Sequence, residues 1–396
     1  MNPDLVKLQP YPFERLRRLF DGVSPPTGLS PLNLSIGEPQ HATPQLIGDA
    51  LSAALGDLAR YPLTAGSLPL RETMAAWLKR RFDLKAIDPA TEVIPVAGSR
   101  EALFSIAQAL IDRSRNPLVL APNPFYQIYE GATYLAGGSL QLLPTTADNN
   151  YRMDFDAIAA DQWPRVGLVY VCSPGNPTGR VLRLQDWEQL FSLSARHGFV
   201  IAADECYSEI YPDEDSPPLG ALQAATLLGN ERFERLLSFG SLSKRSNAPG
   251  LRSGYVAGDA QLISSFLRYR TYHGCAMGLP VQAASIVAWR DETHVRENRQ
   301  RYRAKFDQAL PWIQPLLPCE RPDGGFYLWA RTPIDDTEFA KQLYAKTAVT
   351  VLPGQYLSRE IQGINPGAHY VRIALVADEG QTLQAAKRIA QFAQTL

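Results

Sequence analysis

The chain has little charge of one sign to spare: 39 basic residues against 40 acidic ones leave a formal net charge of −1. That balance gives no electrostatic footprint for nucleic acid or for an anionic membrane surface, and small-molecule chemistry is the default. Cysteine is scarce. The four, Cys172, Cys206, Cys275 and Cys319, are far apart with no CxxC pair, so neither a disulfide framework nor a metal-ligand spacing is present, and a reduced, cytoplasmic chain is expected. No apolar run reaches the 18 or so residues that span a bilayer, and Met1–Leu8, carrying Asp4 and Lys7, does not read as a secretory signal. Internal repeats and low-complexity tracts are also missing.

What is present is enough apolar material for a full core, 45% of 396 residues, which allows two or three packed units. Residues 1 to about 35 are rich in proline and basic side chains and read as an arm that packs on something else; the helix-like piece Phe13 to Phe20 reads as a solvated face. From Val93 to about Val256 strands alternate with helices. Val93 to Ala97 is a short β run, and Gly98-Ser99-Arg100 opens a helix with Leu103, Ile106, Ala107, Leu110 and Ile111 on one face. Leu118 to Ala121 is a buried strand followed by the aromatic loop Pro122 to Tyr129.

Val166 to Cys172 and Phe199 to Ala203 are near-continuous apolar runs joined by a helix carrying Leu184, Trp187, Leu190, Phe191 and Ala195. Two such strands with an amphipathic crossover make a βαβ unit with parallel strands. Asn176 and Asp204 then lie just past the carboxyl ends of parallel strands, as does Lys244 after the run Leu236 to Phe239, and ligands of open α/β sheets bind along that edge. Beyond about residue 285 the character changes, with an arginine-rich helical stretch Trp289 to Phe306, a glycine-punctuated segment Pro322 to Trp329, a short strand Tyr370 to Val376 and a final helix. The expected organisation is an N-terminal arm that forms part of a small domain (1–45), a large domain (46–285) and a small α+β C-terminal domain (286–396).

The stretch Ser241 to Tyr255 is the most chemically pointed. An amine placed after a buried strand loses hydration and becomes a usable nucleophile toward a carbonyl carbon, and eight residues on the planar fork of Arg252 suits a phosphate dianion. The same composition also suits a solvated basic loop.

Gly-Glu-Pro at 37–39, Ser-Pro-Gly-Asn-Pro-Thr-Gly at 173–179, Asp-Glu-Cys-Tyr at 204–207, and Ser-Leu-Ser-Lys at 241–244 with Arg252 resemble the fold-type I pyridoxal-phosphate aminotransferases of class I/II, in order and spacing, from about Gly37 to Arg372. The resemblance implies a large domain with a mostly parallel central sheet flanked by helices, a smaller α+β domain, and pyridoxal 5′-phosphate as cofactor with no metal. It implies Lys244 as the residue that condenses with the cofactor aldehyde and then moves the Cα proton, and Asp204 as the partner of the ring nitrogen. Asn176 and Tyr207 would reach the phenolic oxygen. Ser99, the amides of Ser99 and Arg100, Ser241, Ser243 and Arg252 would hold the phosphate. Tyr126, with Phe125 as competitor, would stack on the ring. Tyr61 would reach the phosphate from a neighbouring subunit, making a homodimer with shared sites. Arg372 and the Gly37 amide would bind the substrate α-carboxylate; an internal salt bridge is the other reading of Arg372.

Ser241 to Asp259 together with His273 to Met277 looks most like succinyldiaminopimelate aminotransferases, which implies N-succinyl-LL-2,6-diaminopimelate as substrate with 2-oxoglutarate and glutamate as the partner pair, in lysine biosynthesis. A broad-specificity aspartate, alanine or kynurenine-type aminotransferase, a C–S lyase on the same scaffold and an aminotransferase-like regulator are the alternatives, the last disfavoured by the lack of basic excess. No residue is assigned to the distal part of the substrate; Arg245 and Arg268 read equally well as surface salt bridges.

Overall fold

The computed structural model describes residues 1–396. In chain order its strands are β1 (Leu32–Asn33), β2 (Val93–Val96), β3 (Leu118–Asn123), β4 (Ser139–Pro144), β5 (Val166–Cys172), β6 (Val200–Asp204), β7 (Leu236–Ser241), β8 (Gly254–Gly258), β9 (Tyr327–Arg331), β10 (Val349–Thr350), β11 (Leu352–Pro353) and β12 (Tyr370–Ala374). Seven form one sheet in the order β2-β8-β7-β6-β5-β3-β4. β4, β3, β5, β6 and β7 pair in parallel, whereas β8 runs antiparallel to both its neighbours, β7 and β2. The sheet is therefore mixed but mostly parallel, with helices on both faces, an α/β architecture.

The continuous apolar runs of β5 and β6 follow from burial on two sides. Val169, Val171, Ile201 and Ala203 face a core that includes Trp187 and Leu190. Leu168, Tyr170 and Ala202 alternate onto the opposite face, against Leu103 and Ile106 of the helix Ser99–Leu110. One strand feeds two cores, so its alternation is invisible in hydropathy.

A second body is built on the antiparallel sheet β11-β12-β9, against which the helices Thr293–Ile313, Asp336–Thr347 and Glu379–Ala393 pack. Its core joins Leu328, Val371, Ile373, Leu343 and Ile389 to Leu32 and Leu34 from the N-terminal segment. That segment is tied in by β1, which pairs in parallel with β10.

Two expectations are revised. The helix Pro12–Leu19 is not merely a solvated face: Leu16 is buried with Trp329, Tyr356 and Leu357, and Arg15 lies 4.0 Å above the Tyr356 ring. The stretch Trp289 to Phe306 is not one helix, because Leu279–Arg290 ends at Asp291, which is extended, and Thr293–Ile313 starts anew. The Asp291 carboxylate accepts from the His294 amide at 2.9 Å, capping the second helix.

Arg245 completes that junction. It is buried, not a surface residue: its guanidinium donates to the Ala288 carbonyl at 2.7 Å and the Asp291 carbonyl at 3.2 Å, pairs with Glu292 at 2.6 Å, and lies 5.3 and 4.9 Å from the Trp77 and Trp289 rings. A cation here satisfies the last carbonyls of one helix and the first acid of the next. Arg268 stays exposed on the helix Ala260–His273. Arg245→Ala is expected to destabilise the chain toward the low end of about 3–5 kcal/mol, since Glu292 keeps some access to water, with Arg245→Met milder; urea unfolding midpoints of the two variants check the order.

Candidate active site

At the carboxyl edge of the parallel strands lies a cavity of about 480 Å³ where the large sheet meets the second body and the N-terminal arm. It is lined by Gly37, Ser99, Arg100, Tyr126, Asn176, Asp204, Tyr207, Ser241, Ser243, Lys244, Arg252 and Arg372, so twelve of the residues singled out from sequence meet in one place. Tyr61 does not; it is fully exposed, in a stretch where Leu55, Leu58 and Leu63 are exposed too. Within the aromatic loop Tyr126 lines the cavity, whereas Phe125 is buried beneath the Arg359 guanidinium, 5.2 Å away. His273 and Cys275 lie 3.1 Å apart at the end of the helix Ala260–His273, and nothing from His273 to Met277 lines the cavity.

Asp204 ends β6 and is 4% exposed. Its Oδ2 accepts from the Tyr129 hydroxyl at 2.7 Å and its Oδ1 from the Cys206 amide at 3.3 Å, both neutral donors. Burial pushes the carboxyl above its ordinary range, opposed by these hydrogen bonds and by the charge of Lys244. Lys244, in the short helix Leu242–Arg245, is half-buried; burial pulls its ammonium below the ordinary lysine range, and the nearby Arg100 and Arg252 charges pull the same way. A buried acid and an amine with a weakened hold on its proton thus share one cavity.

The opposite end is built to take an anion. The helix Ser99–Leu110 opens into the cavity with no side-chain cap on its first amides. The Cys206 thiol donates to Ser99 Oγ at 2.9 Å. Arg252 is held by the carbonyls of Pro249 at 2.9 Å and Ala97 at 3.3 Å, and Gly98, at φ 90, is where it crosses: a Cβ there would sit 2.1 Å from Arg252 Nη2.

Arg372, in the middle of β12, is 3% exposed and has no carboxylate partner, so the internal salt bridge is not found. It donates to Asn176 Oδ1 at 2.9 Å and to the Ser35 carbonyl at 2.7 Å, stacks 4.3 Å from the Tyr327 ring, and its Nε is buried without a partner. Because Asn176 Oδ1 is occupied by Arg372, the amide nitrogen is left to donate elsewhere. Gly37 is pressed against Tyr327, whose hydroxyl occupies the place a Cβ would take. Tyr327 in turn shares a 3.0 Å hydrogen bond with Tyr207.

Sequence reasoning missed Tyr129, Cys206 and Tyr327, and also Tyr11, Pro12 and Phe13, which bring the N-terminal helix to the cavity wall. Cys206, inside the 204–207 motif, and Tyr129, at the end of the aromatic segment 122–129 and in the helix Ile128–Leu135, carried a signal; Tyr327 and Tyr11 to Phe13 carried none.

A carboxyl whose folded pKa is raised loses stability as pH climbs from its unfolded value through the folded one, because the unfolded chain then ionises more readily. Tyr129→Phe removes a donor from the ionised form. It is therefore expected to destabilise the chain by about 1.5–3 kcal/mol near pH 7.5 and by less near pH 4. Urea unfolding at the two pH values checks this; an equal loss at both means Asp204 keeps one charge state across that range.

Comparison with known proteins agrees with the geometry. The family described as aminotransferase class I and II matches residues 30–389. An aminotransferase of solved structure from Neisseria meningitidis Z2491 is 51% identical, with each chain covered over 99% and a TM-score of 0.95. A protein named LL-diaminopimelate aminotransferase, from Nitratidesulfovibrio vulgaris (strain DP4), is 34% identical over 98% of both chains. The solved structure of a probable N-succinyldiaminopimelate aminotransferase from Thermus thermophilus is 28% identical, covers 96% of this chain and 98% of its own, and gives a TM-score of 0.83. With an acid, an amine and an anion cradle meeting at the strand ends and a family match spanning nearly its whole length, this chain belongs to the class I and II aminotransferases, pyridoxal-phosphate enzymes of fold type I.

Proposed function

We propose that this aminotransferase exchanges the amino group of N-succinyl-LL-2,6-diaminopimelate with 2-oxoglutarate and glutamate, in the supply of diaminopimelate and lysine. The observation that carries an amino-acid substrate is Arg372, a buried guanidinium with an orphaned Nε and no carboxylate of its own. A substrate α-carboxylate, with the Gly37 amide as second donor, is the partner that such a group requires.

The donor set fits the cofactor. Asp204 offers a buried carboxylate held only by neutral donors, as a protonated ring nitrogen needs, and Arg252 with the open helix amides offers an anion cradle at the other end. When bound, pyridoxal phosphate supplies an aldehyde for amines and a ring that accepts the electrons released at the substrate Cα. The chain does the rest. Ser99, the Ser99 and Arg100 amides, Ser241, Ser243 and Arg252 anchor the phosphate; Tyr126 covers a ring face; the Asn176 amide nitrogen and Tyr207 donate toward the phenolic oxygen. Lys244, whose burial enlarges its neutral fraction, takes the proton from Cα through Nζ and returns it.

The charge of the cavity wall favours the succinylated substrate. Arg100, Lys244, Arg252 and Arg372 face only Glu38 and Asp204, and the succinyl group replaces a distal ammonium with a further carboxylate. LL-diaminopimelate itself is the second reading, favoured by the name of the 34% identical relative. The cofactor absorbance on adding each substrate without 2-oxoglutarate decides between them: a change with N-succinyl-LL-diaminopimelate at least about tenfold more efficient than with LL-diaminopimelate is expected, and the reverse order replaces the first reading with the second.

A homodimer with shared sites is part of the same reading. Its support is Tyr61, fully exposed in an apolar stretch that nothing in the chain covers, with Leu58 and Leu63 beside it. Sedimentation is expected to give twice the chain mass of 43.8 kDa; a fully active monomer overturns it.

A further inference from the structure

The stretch 36–43 joins the N-terminal segment of the second body to the helix Gln45–Ala53 without regular structure, and it carries the Gly37 amide at the cavity wall. Two hydrogen bonds hold this strap, and both lead to the turn that carries Lys244. Thr43 Oγ1 donates to the Asn247 carbonyl at 2.6 Å. The other bond joins His41 Nδ1 to Asn298 Oδ1 at 2.9 Å, and the Asn298 amide nitrogen donates onward to the Lys244 carbonyl at 3.3 Å.

Asn298 is buried on the helix Thr293–Ile313 of the second body, and its neighbours fix its orientation. The Lys244 carbonyl can only accept, so the amide nitrogen faces it; Oδ1 then accepts twice, from His41 and from Asn247 Nδ2 at 3.0 Å. Burial, with the charge of Lys305 added, keeps His41 below the ordinary histidine range, so near neutral pH its single proton sits on Nδ1, where Asn298 needs a donor. One turn earlier on the same helix, His294 Nε2 meets Ser246 Oγ at 2.8 Å while its Nδ1 meets Asp291. The helix thus grips residues 244–247 at two levels, and Asn298 alone also holds the strap.

That double hold bears on the chemistry. Lys244 Nζ has to meet the Cα proton while the α-carboxylate lies on Arg372 and the Gly37 amide, so the spacing of strap and turn is the spacing of carboxylate and base. A misplacement of about 1 Å costs on the order of 100-fold in rate. We propose that Asn298 is a positioning residue for Lys244, locking the lysine turn to the strap that presents the Gly37 amide so that amine and substrate carboxylate keep a fixed separation. It does not itself line the cavity. The proposal rests on Lys244 as the carrier of the Cα proton, the reading given above.

Asn298→Asp keeps both acceptances and loses the donor aimed at Lys244. In the holoenzyme the half-reaction with glutamate is expected to slow roughly 10- to 100-fold at saturation, while the glutamate concentration for half-saturation moves less than about threefold. The circular dichroism of the cofactor band without substrate is expected to change at unchanged cofactor content, since that signal follows the direction in which Lys244 holds the ring. A urea midpoint that falls while the saturating rate and the dichroism stay at wild-type values makes Asn298 a packing residue and overturns the proposal. A half-saturation that rises with the saturating rate unchanged overturns it too. Should Asn298→Asp fail to fold, the strap side decides: His41→Leu is expected to slow the saturating rate by a similar factor and His41→Asn, which returns a donor to the place of Nδ1, to recover most of it, and equal rates in the two overturn the proposal. Turnover retained by Lys244→Ala removes the lysine reading itself and the proposal with it, so the two failures are told apart.

Discussion

Asp204 is buried at the carboxyl end of β6 with a phenol, a backbone amide and the Cys206 thiol, all neutral, against its oxygens. A carboxylate taken out of water in this way is costly unless something cationic comes to meet it. The chain supplies no guanidinium or imidazole for the purpose, and burial weakens the hold of Lys244 on its own proton. The strand end is thus held in readiness for a positive charge from outside the polypeptide, and the other groups gather around that position: the Tyr129 hydroxyl on its Oδ2, Cys206 passing its thiol on to Ser99, and Lys244 on the wall of the same cavity.

The same logic of leaving a group incomplete recurs at Arg372. Its partners are an amide oxygen and a carbonyl, which orient the guanidinium without neutralising it. Asn176 belongs to the large sheet's edge, Ser35 to the N-terminal segment and Arg372 to the second body. One arginine therefore joins three separate parts of the chain, as the Tyr207 and Tyr327 pair joins two across 120 residues.

Much of this was legible in the sequence. β5 and β6 stand out because each feeds a core on both faces and so reads as an unbroken apolar run, and Asn176 and Asp204 follow them directly. Arg372 stands out because a guanidinium in an apolar strand demands a partner. What could not be read falls into two kinds. β8 is Gly254–Gly258, too small and glycine-rich to show a pattern, and β4 is a partly exposed edge strand. Tyr129, Tyr327 and the N-terminal Tyr11 to Phe13 act through partners far away in the chain, 75 residues for Tyr129 and Asp204, and no local periodicity encodes such a pairing. The break at Asp291 was hidden for a related reason, since the cation that closes it, Arg245, comes from another element.

The reversed strand has a consequence for how the site can change. β7 and β8 pair with Ser241 opposite Gly254, so the segment carrying Lys244 and Arg252 is a loop stitched shut at its base. An insertion or deletion inside that loop would move amine and arginine relative to each other while both ends stayed clamped, which leaves it little latitude in length. The Tyr11 to Phe13 wall carries no such clamp and arrives from the far end of the polypeptide. Divergence in substrate range has its freest ground there, at the rim, while the hairpin keeps its reactive atoms in step.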